Sequence, residues 1–200
     1  MLATQYLHLE AYIRAGGVVM VPLALVSLSM WLLIIDRALF FRRLYHKNMN
    51  LKTALEHIQN DRMPDPAHYR GAISLLVARF LLRRSNDRHL DCFIIDETVL
   101  TINRGLSDYL ALIGVLAAVA PLMGLLGTVT GMIGTFDILS IFGTGNAKGM
   151  AGGISEALIT TQTGLLVAIP GLYMKGFLDR RARNLQQRVA QVGYYLKREL

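Results

Sequence analysis

Residues 109–136 read YLALIGVLAAVAPLMGLLGTVTGMIGTF, twenty-eight positions without a single charge. As a helix this stretch rises about 42 Å, more than the roughly 30 Å hydrocarbon core of a bilayer. It is expected to cross a membrane with tilt, a kink or an overhang. Pro121 sits inside it and removes one rung of the hydrogen-bond ladder, which places the expected kink there.

Two further apolar stretches flank this one. The first covers residues 16–35, uncharged between Arg14 and Asp36. It is closed by Asp36-Arg37 and Arg42-Arg43, a stop-transfer flank that favours an uncleaved anchor over a signal peptide. Pro22 falls in its first turns, where a missing N–H does least harm. The last covers residues 154–174, whose uncharged part lies between Glu156 and Lys175, with Pro170 near its far end.

Bulk composition agrees: 53% of residues are hydrophobic and only 18% charged, with a mean hydropathy of +0.39. The net charge of +7 would suit a nucleic-acid binder, but its distribution argues for a membrane protein instead. Residues 36–108 hold twelve Lys and Arg and residues 175–200 hold seven, against Arg14 alone before the first span and Lys148 alone between the last two. The positive-inside bias predicts a short periplasmic segment at 1–15, a cytoplasmic region at 36–108, a periplasmic loop at 137–153 and a cytoplasmic helix at 175–200. Cys92 is the single cysteine, so no intrachain disulfide can form. His8, His46, His57, His68 and His89 show no metal-ligand spacing, and no cofactor is implied.

The basic segments carry helical periodicity. Ile95, Val99, Ile102 and Leu106 form one stripe. Leu178, Ala182, Leu185, Val189, Val192 and Leu196 form another. Tyr69, Ile73, Leu76 and Phe80 suggest a third helix, separated by the turn-rich 60–66 from a short one near Leu51–Ile58. The expected fold is therefore an all-α membrane protein, with spans two and three extended into a cytoplasmic helical bundle.

Within span two, Gly124, Gly127, Gly131 and Gly134 step 3, 4 and 3, a small-residue stripe that admits a close helix neighbour. Thr128 and Thr135 lie near that face, either bonded back to their own helix or lining a narrow polar path. These glycines lack the Lys of a phosphate loop. Span three carries four consecutive polar residues, Thr160, Thr161, Gln162 and Thr163. Glu156 precedes Thr160 by four and Thr163 by seven, which defines a polar face. Glu156 can be read as an acid favoured by a helix N-terminus or as the mouth of an ion path. No Asp or Glu sits in the middle of any span, so a proton path would need a carboxylate from another chain.

These residues resemble the MotA/TolQ/ExbB proton-channel family. The likeness rests on APLMGLLGTV at 120–129, GISEALITT at 153–161 and AIP at 168–170, and covers residues 105–175. It implies a homo-oligomeric ring, a pentamer in this family, around an ExbD-like single-span protein that carries a membrane Asp. It also implies a TonB-like protein that passes proton-driven motion to outer-membrane receptors, and residence in the bacterial inner membrane. By position, Thr128 and Thr161 match the family's pore-lining threonines and Glu156 its acid at the start of span three. Thr135, Thr160 and Thr163 complete the expected proton path, with Pro121 and the four glycines as packing residues. Thr130 stands where the family often has Trp, and the segment before span one is short. MotA-type stators have four spans, so an ExbB-like role is expected. A TolQ-like role in envelope integrity and a non-conducting scaffold are the alternatives. No HExxH, GxSxG or membrane Asp pair marks an intramembrane enzyme.

Overall fold

The structure, a computed structural model, describes residues 12–13, 15–45, 49–65, 69, 71–85 and 87–199. His8, Arg14, His46, Pro66 and His68 lie outside the described residues. Among the described residues six longer helices follow in order: α1 Met20–Tyr45, α2 Leu51–Gln59, α3 Ala72–Arg83, α4 Arg88–Ser107, α5 Leu110–Phe142 and α6 Ala147–Glu199. No strand occurs among the described residues. Among the described residues three stretches are long and apolar enough to cross a membrane: α1, the α5-containing Arg88–Gly145, and α6. Only 22%, 33% and 28% of their apolar windows are buried, so most of that surface needs a cover of lipid or protein.

The helices overrun the apolar stretches. The loop expected at 137–153 is mostly helical: α5 continues to Phe142, a single 3-10 turn covers Gly143–Gly145, and α6 starts at Ala147. Gly143 at φ +61 ends α5 in the left-handed conformation that glycine accepts without a Cβ penalty. At 53 residues, α6 joins the third span and the C-terminal amphipathic stripe in one helix of about 80 Å. Both Pro121 and Pro170 lie inside helices without interrupting them.

The chain divides into two compact units. The first gathers the described part of 1–34 with Leu112–Lys175. In it α1 buries Met20, Leu23, Met30 and Ile34, one face of the helix, and Val19 is buried just before it. Its other face, with Leu25, Leu28 and Leu32, is exposed. Met30 fits a place on α6 vacated by Gly171, where an added Cβ would meet its side chain.

The second unit gathers Ile35–Ala111 with residues 176–200. All six stripe residues of α6, from Leu178 to Leu196, are buried. The α4 stripe differs at one position, since the buried set is Asp91, Ile95, Thr98, Ile102 and Leu106. Thr98 enters the core because its hydroxyl donates to the Ile94 carbonyl at 2.7 Å. Val99 turns to α6 instead, where a Cβ on Gly193 would stand 2.7 Å from its Cγ2. Ile73, Leu76 and Phe80 of α3 are buried as expected, while Tyr69 precedes the helix and is half-buried.

Polar staples tie this unit together. Arg84 donates to the Ile58 carbonyl at 3.0 Å and to Asp61 at 3.2 Å. Its Nε lies 3.9 Å from the buried Asp91. Asp91 in turn accepts from the Ser85 backbone N–H at 2.8 Å and from its hydroxyl at 3.1 Å. Gln186 donates to the Asn103 carbonyl at 2.9 Å and reaches the Ser107 hydroxyl at 2.8 Å. Between α4 and α5, Tyr109 adopts φ +61, an uncommon conformation for a bulky residue. The Arg37 guanidinium lies 4.6 Å from its ring centroid and donates to the Gly105 carbonyl at 3.3 Å.

A glycine-closed seam between α5 and α6

The candidate site is built on the contact between α5 and α6. Gly124, Gly127 and Gly131 of α5 are all buried against α6. A Cβ on Gly124 would stand 3.0 Å from the Thr160 carbonyl oxygen and 3.1 Å from the Thr161 Cα. One on Gly127 would collide with the Thr160 side chain. One on Gly131 would stand 2.6 Å from the Gly153 carbonyl oxygen. Close approach of backbones is what small residues permit in lipid, where dispersion and packing replace hydrophobic drive. Gly134 is the exception, with open space around its Cβ position. The stripe thus ends one turn earlier than its spacing implies.

The complementary stripe on α6 is Gly153, Ala157, Thr160, Gly164, Ala168 and Gly171, all but the half-buried Gly153 being buried. A Cβ on Gly164 would meet the Ala120 carbonyl oxygen at 2.7 Å. The signal lay in the sequence, small residues at steps of four, three, four, four and three, but the hydroxyls interleaved with them drew the reading elsewhere. Pro121, on the edge of the α5 face, leaves the Ala117 carbonyl without its i+4 donor. Ala117 itself is fully buried.

The hydroxyl and acidic residues occupy three separate places. Thr135 and Thr160 are buried within the seam, where Thr135 donates to the Gly131 carbonyl at 3.0 Å and Thr160 to those of Glu156 and Ala157, both at 3.0 Å. Both hydroxyls are thereby satisfied on their own helix. Glu156 and Thr163 lie to one side of the seam, toward the segment before α1. A Cβ on Gly17, itself at φ +66, would collide with the Glu156 carboxylate. The Thr163 hydroxyl bonds the Ile159 carbonyl at 2.7 Å and meets the Tyr12 hydroxyl at 2.8 Å. Tyr12 went unnoticed in the sequence, since nothing in spacing links positions 151 residues apart.

Thr128 and Thr161 lie on the opposite side of the seam, each half-buried. The Thr161 hydroxyl lies 3.0 Å from the Ala157 carbonyl and 3.2 Å from the Gly124 carbonyl across the seam. Thr128 follows Gly124 by one turn and so shares its face. Its hydroxyl is 2.6 Å from the Leu125 carbonyl. The Glu156, Thr160, Thr163 face and the Thr128, Thr161 pair therefore point to different neighbours. Glu156 also lies nine residues beyond the start of α6, past the first turn to which helix-dipole stabilisation is confined. The helix-end reading of this acid is set aside.

No group of three metal-binding side chains occurs among the described residues. Residues 75–191 match the MotA/TolQ/ExbB proton channel family. The chain belongs to that family. An ExbB-like biopolymer transport protein of Synechocystis is 37% identical over 166 residues, which cover 77% of this chain and 64% of the relative. A second from the same organism, also ExbB-like, is 33% identical and covers 79% of each chain. The biopolymer transport protein ExbB of Salmonella typhimurium is 28% identical over 88% of this chain and 76% of its own. The chain thus spans a little under two thirds of the first of these relatives. These relatives give the chain an ExbB-like place within that family.

Proposed function

We propose that this chain is the proton-channel subunit of an inner-membrane complex that uses the proton-motive force to energise TonB-dependent transport across the outer membrane. The observation that carries this reading is the Thr128 and Thr161 pair. Two half-buried hydroxyls stand on one free side of a seam that glycines have otherwise closed. Hydroxyls can hold water and face a carboxylate without fixing a charge of their own. The central parts of all three spans lack Asp and Glu, so the titrating acid comes from a partner, an ExbD-like single-span helix. Copies of this chain, five by family likeness, surround that helix with their Thr128 and Thr161 edges inward. A TonB-like protein receives the resulting motion. The Lys and Arg distribution supports an N-terminus in the periplasm and the helical second unit in the cytoplasm.

Glu156 and Thr163, with Tyr12, sit away from that edge and serve a separate role, a polar contact between α6 and the segment before α1. Thr135 and Thr160 hold the seam. The names of the relatives favour an ExbB-like role over a TolQ-like one.

The test uses the full complex with its single-span partner. Thr128→Val and Thr161→Val are nearly isosteric and remove only the hydroxyl. Each is expected to lower energised uptake at least tenfold while leaving assembly intact. Normal uptake by the double variant would sink the reading and favour a non-conducting scaffold.

A further inference from the structure

We propose that residues 12–17 form a strap in the outer leaflet of the membrane, clasped by Tyr12 to Thr163, that seals the Glu156 and Thr163 side of α6. Three contacts of this stretch run down α6 in order. The Glu156 side chain lies against Gly17 and fills the place that a Cβ would take. A Cβ on Gly16 would stand 3.4 Å from the Ile159 Cγ2. The Tyr12 hydroxyl meets the Thr163 hydroxyl at 2.8 Å. From position 17 back to position 12 the chain thus follows α6 from 156 to 163. Helix rise gives the depth. The stretch of α6 from Glu156 to Lys175 rises about 28 Å, which matches the roughly 30 Å hydrocarbon core. On that scale Ile159 lies about 5 Å, and Thr163 about 10 Å, below Glu156. A tyrosine side chain is shorter than this descent, so the Tyr12 backbone is itself below the level of Glu156. The strap therefore occupies part of what the charge pattern predicts as a periplasmic segment.

The chemistry of the strap fits that depth. Polar side chains in hydrocarbon need a partner or a cover of protein. Thr163 donates its one hydroxyl proton to the Ile159 carbonyl at 2.7 Å. The Tyr12 phenol is therefore the donor in the bond between the two hydroxyls, and both protons are placed without water. Two glycines make the turn that returns the chain into α1. A Cβ on Gly16 would collide with the Met20 side chain, and Gly17 stands at φ +66, which glycine accepts freely. With the strap closed over Glu156 and Thr163, the Thr128 and Thr161 side is the polar edge of the seam left open. The strap depends on the membrane placement of α6 and not on proton conduction.

The experiment uses the full chain with Cys92→Ser, reconstituted in lipid vesicles and spin-labelled at one new cysteine. Ile13→Cys puts the label on the strap and Val18→Cys puts it just past the turn, both at exposed positions. Power saturation with oxygen and with a water-soluble nickel chelate reads the depth of each label. The label at 13 is expected at least about 5 Å deeper than the label at 18. Equal depth, or a shallower label at 13, would make the segment periplasmic and overturn the strap. Tyr12→Phe removes only the hydroxyl and should raise the access of the nickel chelate to the label at 13. Unchanged access would overturn Tyr12 as the clasp. Circular dichroism of each variant checks the fold. If Ile13→Cys fails to fold, Ala15→Cys, also exposed, carries the label and the same comparison with position 18 decides.

Discussion

Gly131 on α5 and Gly153 on α6 meet backbone to backbone: a Cβ on either would stand 2.6 Å from the other's carbonyl oxygen. No real Cβ contact is that short, and the neighbouring atom is main chain, which cannot rotate away. Gly131→Ala or Gly153→Ala must push the two helices apart. Overpacking of this kind costs about 1–3 kcal/mol. Gly134, on the same nominal stripe, has open space at its Cβ position. Gly134→Ala is expected to be neutral or to stabilise by up to about 1 kcal/mol through helix propensity. Thermal unfolding of the three variants in one detergent checks the ordering, and a loss at Gly134 equal to that at Gly131 would contradict it.

Gly164 extends the argument to a position that spacing alone did not single out. Its Cβ would meet the Ala120 carbonyl oxygen at 2.7 Å, just before Pro121. Gly164→Ala should therefore destabilise by about the same 1–3 kcal/mol. A seam mutant also moves Thr161 away from the Gly124 carbonyl, so energised uptake should fall with stability. Crosslinking between cysteines placed across α5 and α6 would report the wider spacing directly.

How much of this was legible depended on whether one helix face was sufficient evidence. Leu178 to Leu196 were read correctly because a single buried stripe repeats without competition from polar residues. Val99 was assigned the place that Thr98 takes, since spacing cannot reveal that a hydroxyl will satisfy itself on the Ile94 carbonyl. The glycines of α5 were visible as a stripe, yet Gly134 shows that a stripe does not state where its partner helix ends. Thr128, Thr161, Glu156 and Thr163 were all legible as polar residues in an apolar stretch. Their separation onto two sides of the seam depends on where α6 packs, a tertiary fact. The depth of Glu156 was hidden for a local reason, because Ala147–Gly153 is rich in small residues and reads as a loop. It is nonetheless helical from Ala147, with Ala147, Lys148, Ala151 and Gly152 exposed and Gly153 closing on the Gly131 carbonyl.

Arg84 and Asp91 form the structural hub of the second unit. Asp91 is buried, with its side chain 3% exposed, and accepts from Ser85 as well as facing Arg84. Asp91→Ala leaves the Ser85 N–H and hydroxyl without their acceptor and the Arg84 guanidinium without its facing charge. A loss of about 2–4 kcal/mol is expected, the range for breaking a buried, hydrogen-bonded charge. Asp91→Asn keeps an acceptor for Ser85 and should recover part of it. Denaturant midpoints of the two variants measure the difference. An Asp91→Ala protein as stable as the parent would remove Asp91 from this role.

Lys197 and Asp96 make the instructive contrast. Their separation of 2.6 Å is far shorter than the 3.9 Å between Arg84 and Asp91, but their side chains are 31% and 56% exposed. Water screens such a pair, and ordering two side chains offsets the attraction. Asp96→Ala should cost about 0–1 kcal/mol, less still at high salt. Short distance alone would have ranked this pair above Arg84 and Asp91. Burial reverses the order, and measuring both variants at low and high salt tests that reversal.

Tyr109 poses a balance of two effects. Its φ of +61 is strained for a bulky residue, and the Arg37 guanidinium 4.6 Å from its ring offsets part of that strain. Tyr109→Leu keeps the strain and removes the ring, which isolates the cation–π contribution. A double-mutant cycle with Arg37→Met should give a coupling of about 0.5–2 kcal/mol. Tyr109→Gly removes strain and ring together, so its net change should be smaller than that of Tyr109→Leu. If Tyr109→Gly destabilises more than Tyr109→Leu, the left-handed backbone is not a cost at this position, and the ring matters less than the chain's stiffness between α4 and α5. Thermal unfolding of the three variants distinguishes these outcomes, because strain and ring loss act in opposite directions only in the glycine variant.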